Sequence, residues 1–259
     1  MARGLCRNLS IGCAALFLVT ACGGGGSTSG GGITPNASPG GIWNGTESST
    51  GLAITGIVDE AGEFHFIRSD STQYVGTAST AGNAISASFD GYTEIGTTFA
   101  DGSTHGTGSL SGTIQQRTSI SSTTQFTTDA GTSSNGTLSL TFNSLYNLAS
   151  SLATISGNYT DPNSGDVISI TSAGAVTWQD AATGCVGNGM ISIIDATYNA
   201  YRVQFSYGGC TGGAAVLNGV AFSGLGTLDN TVSPEQAIVG VTGQANGATY
   251  AVVLSLNRS

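Results

Sequence analysis

The chain has 259 residues, enough for one large or two modest domains, and only 8% of them are charged, where about 25% is usual. With 39% hydrophobic residues it carries too much apolar and too little charged content for a disordered chain. It contains no lysine; beyond residue 21, Arg68, Arg117, Arg202 and Arg258 face fifteen Asp and Glu, a net charge of −11 that excludes nucleic-acid binding and a polybasic membrane patch.

Arg3 and Arg7 precede an apolar run, Leu9 to Val19, that is too short to span a bilayer as a helix. Val19-Thr20-Ala21-Cys22 then places small residues directly before a cysteine. This order of charge, apolar core, small residues and cysteine resembles the lipobox of bacterial lipoproteins. The resemblance implies a signal peptide over 1–21, lipid attachment to the Cys22 sulfur, cleavage before Cys22, and acylation of the new amino terminus. Inner-membrane retention usually shows an aspartate after the cysteine, whereas here Gly23 follows. The implied destination is therefore the outer membrane, with the body facing the periplasm or the cell surface. Gly23 to Gly32 (GGGGSTSGGG) reads as the start of a flexible uncharged tether over 22–40. Several acyl chains, at about 0.8 kcal/mol per buried CH₂, make a durable anchor.

From Gly41 onward the dominant signal is period two, joined by glycine-containing turns. Ile85, Ala87 and Phe89 alternate with serines; Leu138, Leu140 and Phe142 with Thr137, Ser139 and Thr141. Tyr201, Val203, Phe205 and Tyr207 alternate with Arg202, Gln204 and Ser206, and Tyr250, Val252, Leu254 and Leu256 continue the pattern. Asp90-Gly91, Asp101-Gly102, Asn135-Gly136, Asn188-Gly189, Asn218-Gly219 and Asn246-Gly247 read as turn pairs. Asn143 to Ala153 breaks the alternation, with Leu145, Leu148, Ala149 and Leu152 at helical spacing behind a cap at Asn143 or Ser144. The expected fold is all-β: two tandem antiparallel meander barrels of about eight strands each, over 41–142 and 155–259, joined by a short helix over 143–154.

The halves share a pattern. Gly41-Ile42-Trp43 leads to Glu60-Ala61-Gly62 and then Phe64 and Phe66; Gly157-Asn158-Tyr159 leads to Ser172-Ala173-Gly174 and then Val176 and Trp178. Gly41-Ile42-Trp43 resembles the Gly-x-Trp opening of lipocalin-like small barrels, in which an arginine near the end of the last strand packs over the tryptophan. Arg258 stands at that place in the second half, which opens with Tyr159 instead, and Arg117 stands too early in the first half. The tandem layout resembles surface receptors of the transferrin-binding type in architecture alone.

Of five cysteines, Cys6 and Cys13 fall in the signal segment and Cys22 is the lipid site, which leaves Cys185 and Cys210 as an even pair in an oxidising compartment. A disulfide between them is expected, since two cysteines without nearby His make no zinc site. No catalytic constellation stands out. His65 is expected on a strand's outer face and His105 in a turn, and there is no Gly-x-Ser-x-Gly elbow, HExxH motif or phosphate loop. Asp161 to Asp166 reads as a hairpin turn, Ca²⁺ being the alternative. Catalytic, cofactor and metal residues are therefore set at none. The expected function is a non-enzymatic binding role for a protein, glycan or small apolar ligand. A carboxylate-dependent envelope hydrolase and a structural envelope component are the alternatives.

Overall fold

The computed structural model describes residues 35–245 and 247–259. The expected signal segment, Cys22 and residues 22–34 of the expected tether lie outside the described residues. Strands β1 (Gly41–Glu47), β2 (Ala53–Val58), β3 (Glu63–Arg68), β4 (Gln73–Ala81), β5 (Ala84–Tyr92), β6 (His105–Gln115), β7 (Ser119–Thr128) and β8 (Ser133–Asn143) follow one another antiparallel, and β8 pairs back onto β1. Strands β9 (Gly157–Thr160), β10 (Val167–Ile170), β11 (Ala175–Gln179), β12 (Val186–Ile193), β13 (Tyr201–Gly208), β14 (Ala221–Asp229), β15 (Gln236–Ala245) and β16 (Ala248–Arg258) close a second barrel in the same way. The protein is thus all-β, two closed eight-stranded meanders, and Pro35–Ser259 forms one compact unit.

Alternation sets each wall. Phe64, Phe66, Ile85, Leu110, Leu138 and Leu140 point into the first barrel, and Ile168, Trp178, Val203, Phe205, Phe222 and Val239 into the second. Each interior is filled by these side chains, as small eight-stranded barrels require. Asp90-Gly91, Asn135-Gly136 and Asn188-Gly189, expected as turns, lie inside β5, β8 and β12. Space explains two of them: a Cβ on Gly91 would fall 2.5 Å from the Phe126 ring, and one on Gly189 would fall 2.2 Å from the Gln204 carbonyl oxygen.

The expected single helix over 143–154 is two short pieces. A 3-10 turn spans Ser144–Asn147, capped by the Asn143 side chain, and a one-turn helix α1 spans Leu152–Ile155, capped by Ser151. Between them Ser150 bonds sideways, its amide and hydroxyl donating to the Ala196 and Asp195 carbonyls. A serine that finds such partners competes with helix continuation.

Each barrel has a closed end and a mouth. Trp43, fully buried, plugs the closed end of the first and donates from its indole to the Pro39 carbonyl at 3.0 Å. At the closed end of the second, the Arg258 guanidinium lies 5.3 Å from the Tyr159 ring centroid, pairs with Glu235, and donates to the Thr154 and Ser156 carbonyls. Arg117 takes a different aromatic neighbourhood, 4.6 Å from the Tyr198 ring, which stacks on Tyr146. The wall of the second barrel is sealed between β9 and β16 by only two residue pairs, Asn257 with Thr160 and Arg258 with Tyr159.

The repeated turn has one cause in both halves. Gly62 (φ 90°) and Gly174 (φ 86°) end the second-to-third strand turn, and the amides of Ala78 and Ile191 donate back to their carbonyls. A Cβ on either would lie 2.3 Å from a backbone oxygen, Ala78 for Gly62 and Ile191 for Gly174. Gly62→Ala and Gly174→Ala are each expected to destabilise by about 2–3 kcal/mol, as left-handed strain adds to a clash with the backbone. Gly51→Ala, with φ 71° and open space around it, is expected to cost about 1 kcal/mol. Urea midpoints check the ranking; equal costs at all three sites would show that the close approach is unimportant.

The barrels pack side by side, with both closed ends on one side. Ile42, Ile57, Leu145, Tyr146, Ala200 and Leu225 form a third apolar cluster between them. Arg202 is bidentate to Glu63 across this contact, at 3.0 and 2.8 Å. His65 points outward from its own barrel as expected, but it is 2% exposed, because β14 of the other barrel covers it. The outer face expected for His65 is therefore a covered one. Gly224 provides the room, since a Cβ there would meet the His65 ring at 2.8 Å.

Gln73 donates from Nε2 to the Val241 and Val252 carbonyls, so its Oε1 is left to accept from His65 Nδ1 at 3.2 Å. Burial depresses the His65 pKa below the ordinary imidazole value; Gln73 and Glu63 pull it upward and Arg202 pushes it down. A depressed folded pKa means the unfolded chain takes the proton first. Stability is therefore expected to fall as pH is lowered below about 6.5, by at most about 1.4 kcal/mol per unit. Unfolding measured between about pH 7 and pH 5 should show this slope in the native chain and lack it in His65→Gln. Equal slopes would assign the proton to another group.

Candidate functional site

At the mouth of the first barrel the inward face of three strands turns from apolar to polar. In β1 the inward series is Trp43, Gly45, Glu47; in β3 it is Phe64, Phe66, Arg68; and Tyr74 of β4 stands opposite Phe66. Arg68 and Glu47 are 9% and 7% exposed and pair at 3.0 Å. A buried charge needs its donors and acceptors matched, and Arg68 meets that condition completely. Its Nε and Nη2 donate to Asp70 at 2.8 and 2.7 Å, Nη1 to Glu47 and the Tyr74 hydroxyl at 3.0 Å each, and Nη2 to the Thr72 hydroxyl at 3.1 Å. Burial opposes the guanidinium charge, but Asp70, Tyr74 and Glu47 outweigh it and hold the group ionised. Burial, then the Glu47 carboxylate, push the Tyr74 phenol well above its ordinary value.

Above this floor lies a cavity of about 250 Å³ walled by Tyr74, Phe99 and Phe126, with Asp101 and Thr128 on its rim. Tyr74 and Phe99 meet Phe126 at 5.7 and 5.4 Å between ring centroids. Asp101 belongs to the long β5–β6 loop, and the Asp101-Gly102 pair turns there as expected, with Gly102 at φ 85°. The Ser103 hydroxyl, the Thr128 hydroxyl and the Ser103 amide donate to the Asp101 carboxylate and hold it below the usual carboxylate range.

The mouth of the second barrel differs. Cys185 and Cys210 are disulfide-bonded there, 25 positions apart in sequence, at the feet of the 180–185 and 209–220 loops. A cavity of about 280 Å³ beside them is lined by Ile95, Tyr207, Ala214, Val216 and Leu217, and Ile95 reaches it from the first barrel, its amide 3.3 Å from the Ala251 carbonyl. The Asp161–Asp166 loop closes a hairpin by the Asp161 amide on the Asp166 carbonyl at 2.9 Å. His105 begins β6, exposed in part, with its ring nitrogens facing Asp129 at 3.0 Å and Asp90 at 3.2 Å. Among the described residues, no group of three or more His, Cys, Asp or Glu is placed to hold a metal ion.

The structure therefore brings Cys185 and Cys210 together, while Cys22 lies outside the described residues. Glu47, Arg68, Tyr74, Phe99, Asp101 and Phe126 had not been singled out from the sequence. A signal for two of them was present: Glu47 and Arg68 fall in phase with inward apolar residues, where a charge must be paired or functional. No protein-family model matches the chain, and the search of curated proteins finds no match.

Proposed function

We propose that the chain is a lipid-anchored envelope protein whose body is a binding module, with the mouth of the first barrel as its ligand site. The observation that supports this most is the contrast between a filled barrel interior and an open 250 Å³ mouth with aromatic walls and a fixed polar floor. Few convergent polar groups on a largely apolar wall is the usual composition of a small-molecule site. The carboxylates suit acceptance of hydrogen bonds better than proton donation. Asp101 is held ionised by three donors and Glu47 is ion-paired, whereas an acid–base pair needs one carboxyl kept protonated.

The chain enters the body at the closed end, where the Ala37 amide donates to the Gly82 carbonyl and the Thr80 hydroxyl donates to the Ala37 carbonyl. Mass spectrometry of the mature amino terminus should find an acylated Cys22, and the Cys22→Ala chain should leave the membrane fraction. An unmodified terminus, or unchanged fractionation, would remove the anchor. For the site, small-molecule fragments screened against the native chain by NMR should shift Phe99 and Phe126 resonances first. Shifts confined to the second mouth or to outer strand faces would move the binding site elsewhere.

A further inference from the structure

The first mouth is chemically one-sided, and this selects a ligand class. A guanidinium has five N–H donors, and all five of Arg68 are engaged within the protein, by Asp70, Glu47, Tyr74 and Thr72. Arg68 therefore builds the floor and has no donor left for an anionic ligand. What remains is acceptor capacity. Glu47 is 7% exposed; its Oε2 accepts from Arg68 and Thr50, but its Oε1 has only a long bond, 3.5 Å, from the Tyr74 hydroxyl. Asp101 stands ionised on the rim. With Asp70 counted against Arg68, the site is negative by two charges, within a body that is itself negative by eleven. Such a field concentrates cations and repels anions.

The walls agree with the floor. The rings of Tyr74, Phe99 and Phe126 present π faces and edges around one volume, and an organic cation is attracted to ring faces within about 6 Å. A volume near 250 Å³ equals about eight waters, which fits a small molecule. A simple metal ion would leave the aromatic wall unused.

Resting on the reading of this mouth as a binding site, we infer that its ligand is a small organic cation, an ammonium or quaternary ammonium carried on a short apolar body. The ammonium sits between Glu47 Oε1 and Asp101, and the apolar body lies against Phe99 and Phe126. A neutral analogue keeps only the aromatic contact, and a carboxylate meets two like charges.

The test is calorimetric titration of the native chain with benzyltrimethylammonium, benzyl alcohol, methyl glucoside and benzoate, alongside NMR of the Phe99 and Phe126 resonances. The cation is expected to bind at least about tenfold more tightly than benzyl alcohol or methyl glucoside, and benzoate not at all. Asp101→Asn and Phe99→Ala should each weaken the cation by about fivefold or more, measured at a temperature where circular dichroism shows each variant fully folded. Raising salt from about 50 to about 300 mM should weaken the native chain more than Asp101→Asn. If benzyl alcohol or methyl glucoside binds as tightly as the cation at these resonances, the cation inference fails while the binding site stands. If no probe shifts them at about 10 mM, a concentration well above any useful affinity, both fall together.

Discussion

Arg68→Met is expected to destabilise the body by about 3–5 kcal/mol, the largest single-residue loss in the first barrel. The substitution keeps most of the side-chain volume and removes all five hydrogen bonds, leaving Glu47 as a buried carboxylate without its counter-charge. The companion Glu47→Gln change identifies the cause. If the uncompensated charge dominates, Arg68→Met combined with Glu47→Gln recovers a substantial part of the loss, because replacing both partners of a buried pair is far less costly than removing one. Additive losses would instead mean that the Arg68 contacts to Asp70 and Thr72 carry the effect. Chemical denaturation followed by tryptophan fluorescence gives both answers, since Trp43 reports on the first barrel and Trp178 on the second.

Cys185→Ser with Cys210→Ser is expected to cost about 3–4 kcal/mol, from the chain entropy returned to the unfolded state by opening a loop of 25 positions. The bond joins the two loops that cover the second mouth, and the 209–220 loop contains only the 3-10 turn Gly212–Leu217. Amide exchange in the double variant should accelerate in 180–186 and 209–220 before it does in β13 or β14. Trp178 tests whether the loss stays local. The Arg202–Glu63 pair, the His65–Gln73 bridge and the third apolar cluster tie the barrels, so Trp43 and Trp178 are expected to unfold together. An unchanged urea midpoint in the double variant would mean the bond constrains nothing that folding does not already hold.

The walls of the barrels were legible because each strand buries one face on its own interior. Val203 and Phe205, or Leu138 and Leu140, alternate with polar neighbours for that local reason. The disulfide was legible by elimination, since the other cysteines lie within the first 22 residues, in or next to the expected signal segment. His65 shows where local reasoning stops: its direction follows from period two, but its burial depends on β14, some 160 residues away in sequence. The doubled apolar runs Ile57-Val58 and Phe66-Ile67 carried the hint, because an outward isoleucine marks a second covered face. The dipeptides at 90 and 188 misled because glycine serves close packing as well as turns, and nothing in the structure explains the glycine at 136. Of the mouth, the in-phase charges Glu47 and Arg68 were readable. Phe99 and Asp101 were not, as a long loop gives no periodicity from which to place them.

The two-pair seam between β9 and β16 bears on how copies of the chain meet one another. A closed barrel offers no free strand edge, so neighbouring copies of the chain have nothing to template on. The first barrel is sealed by six residue pairs and the second by two. If that shorter seam parts, β9 and β16, which carry a single charged residue between them, gain an unpaired edge each. The Arg258 contacts with Tyr159, Glu235 and the carbonyls of Thr154 and Ser156 thus do more than plug an end: they brace the shorter of the two seams.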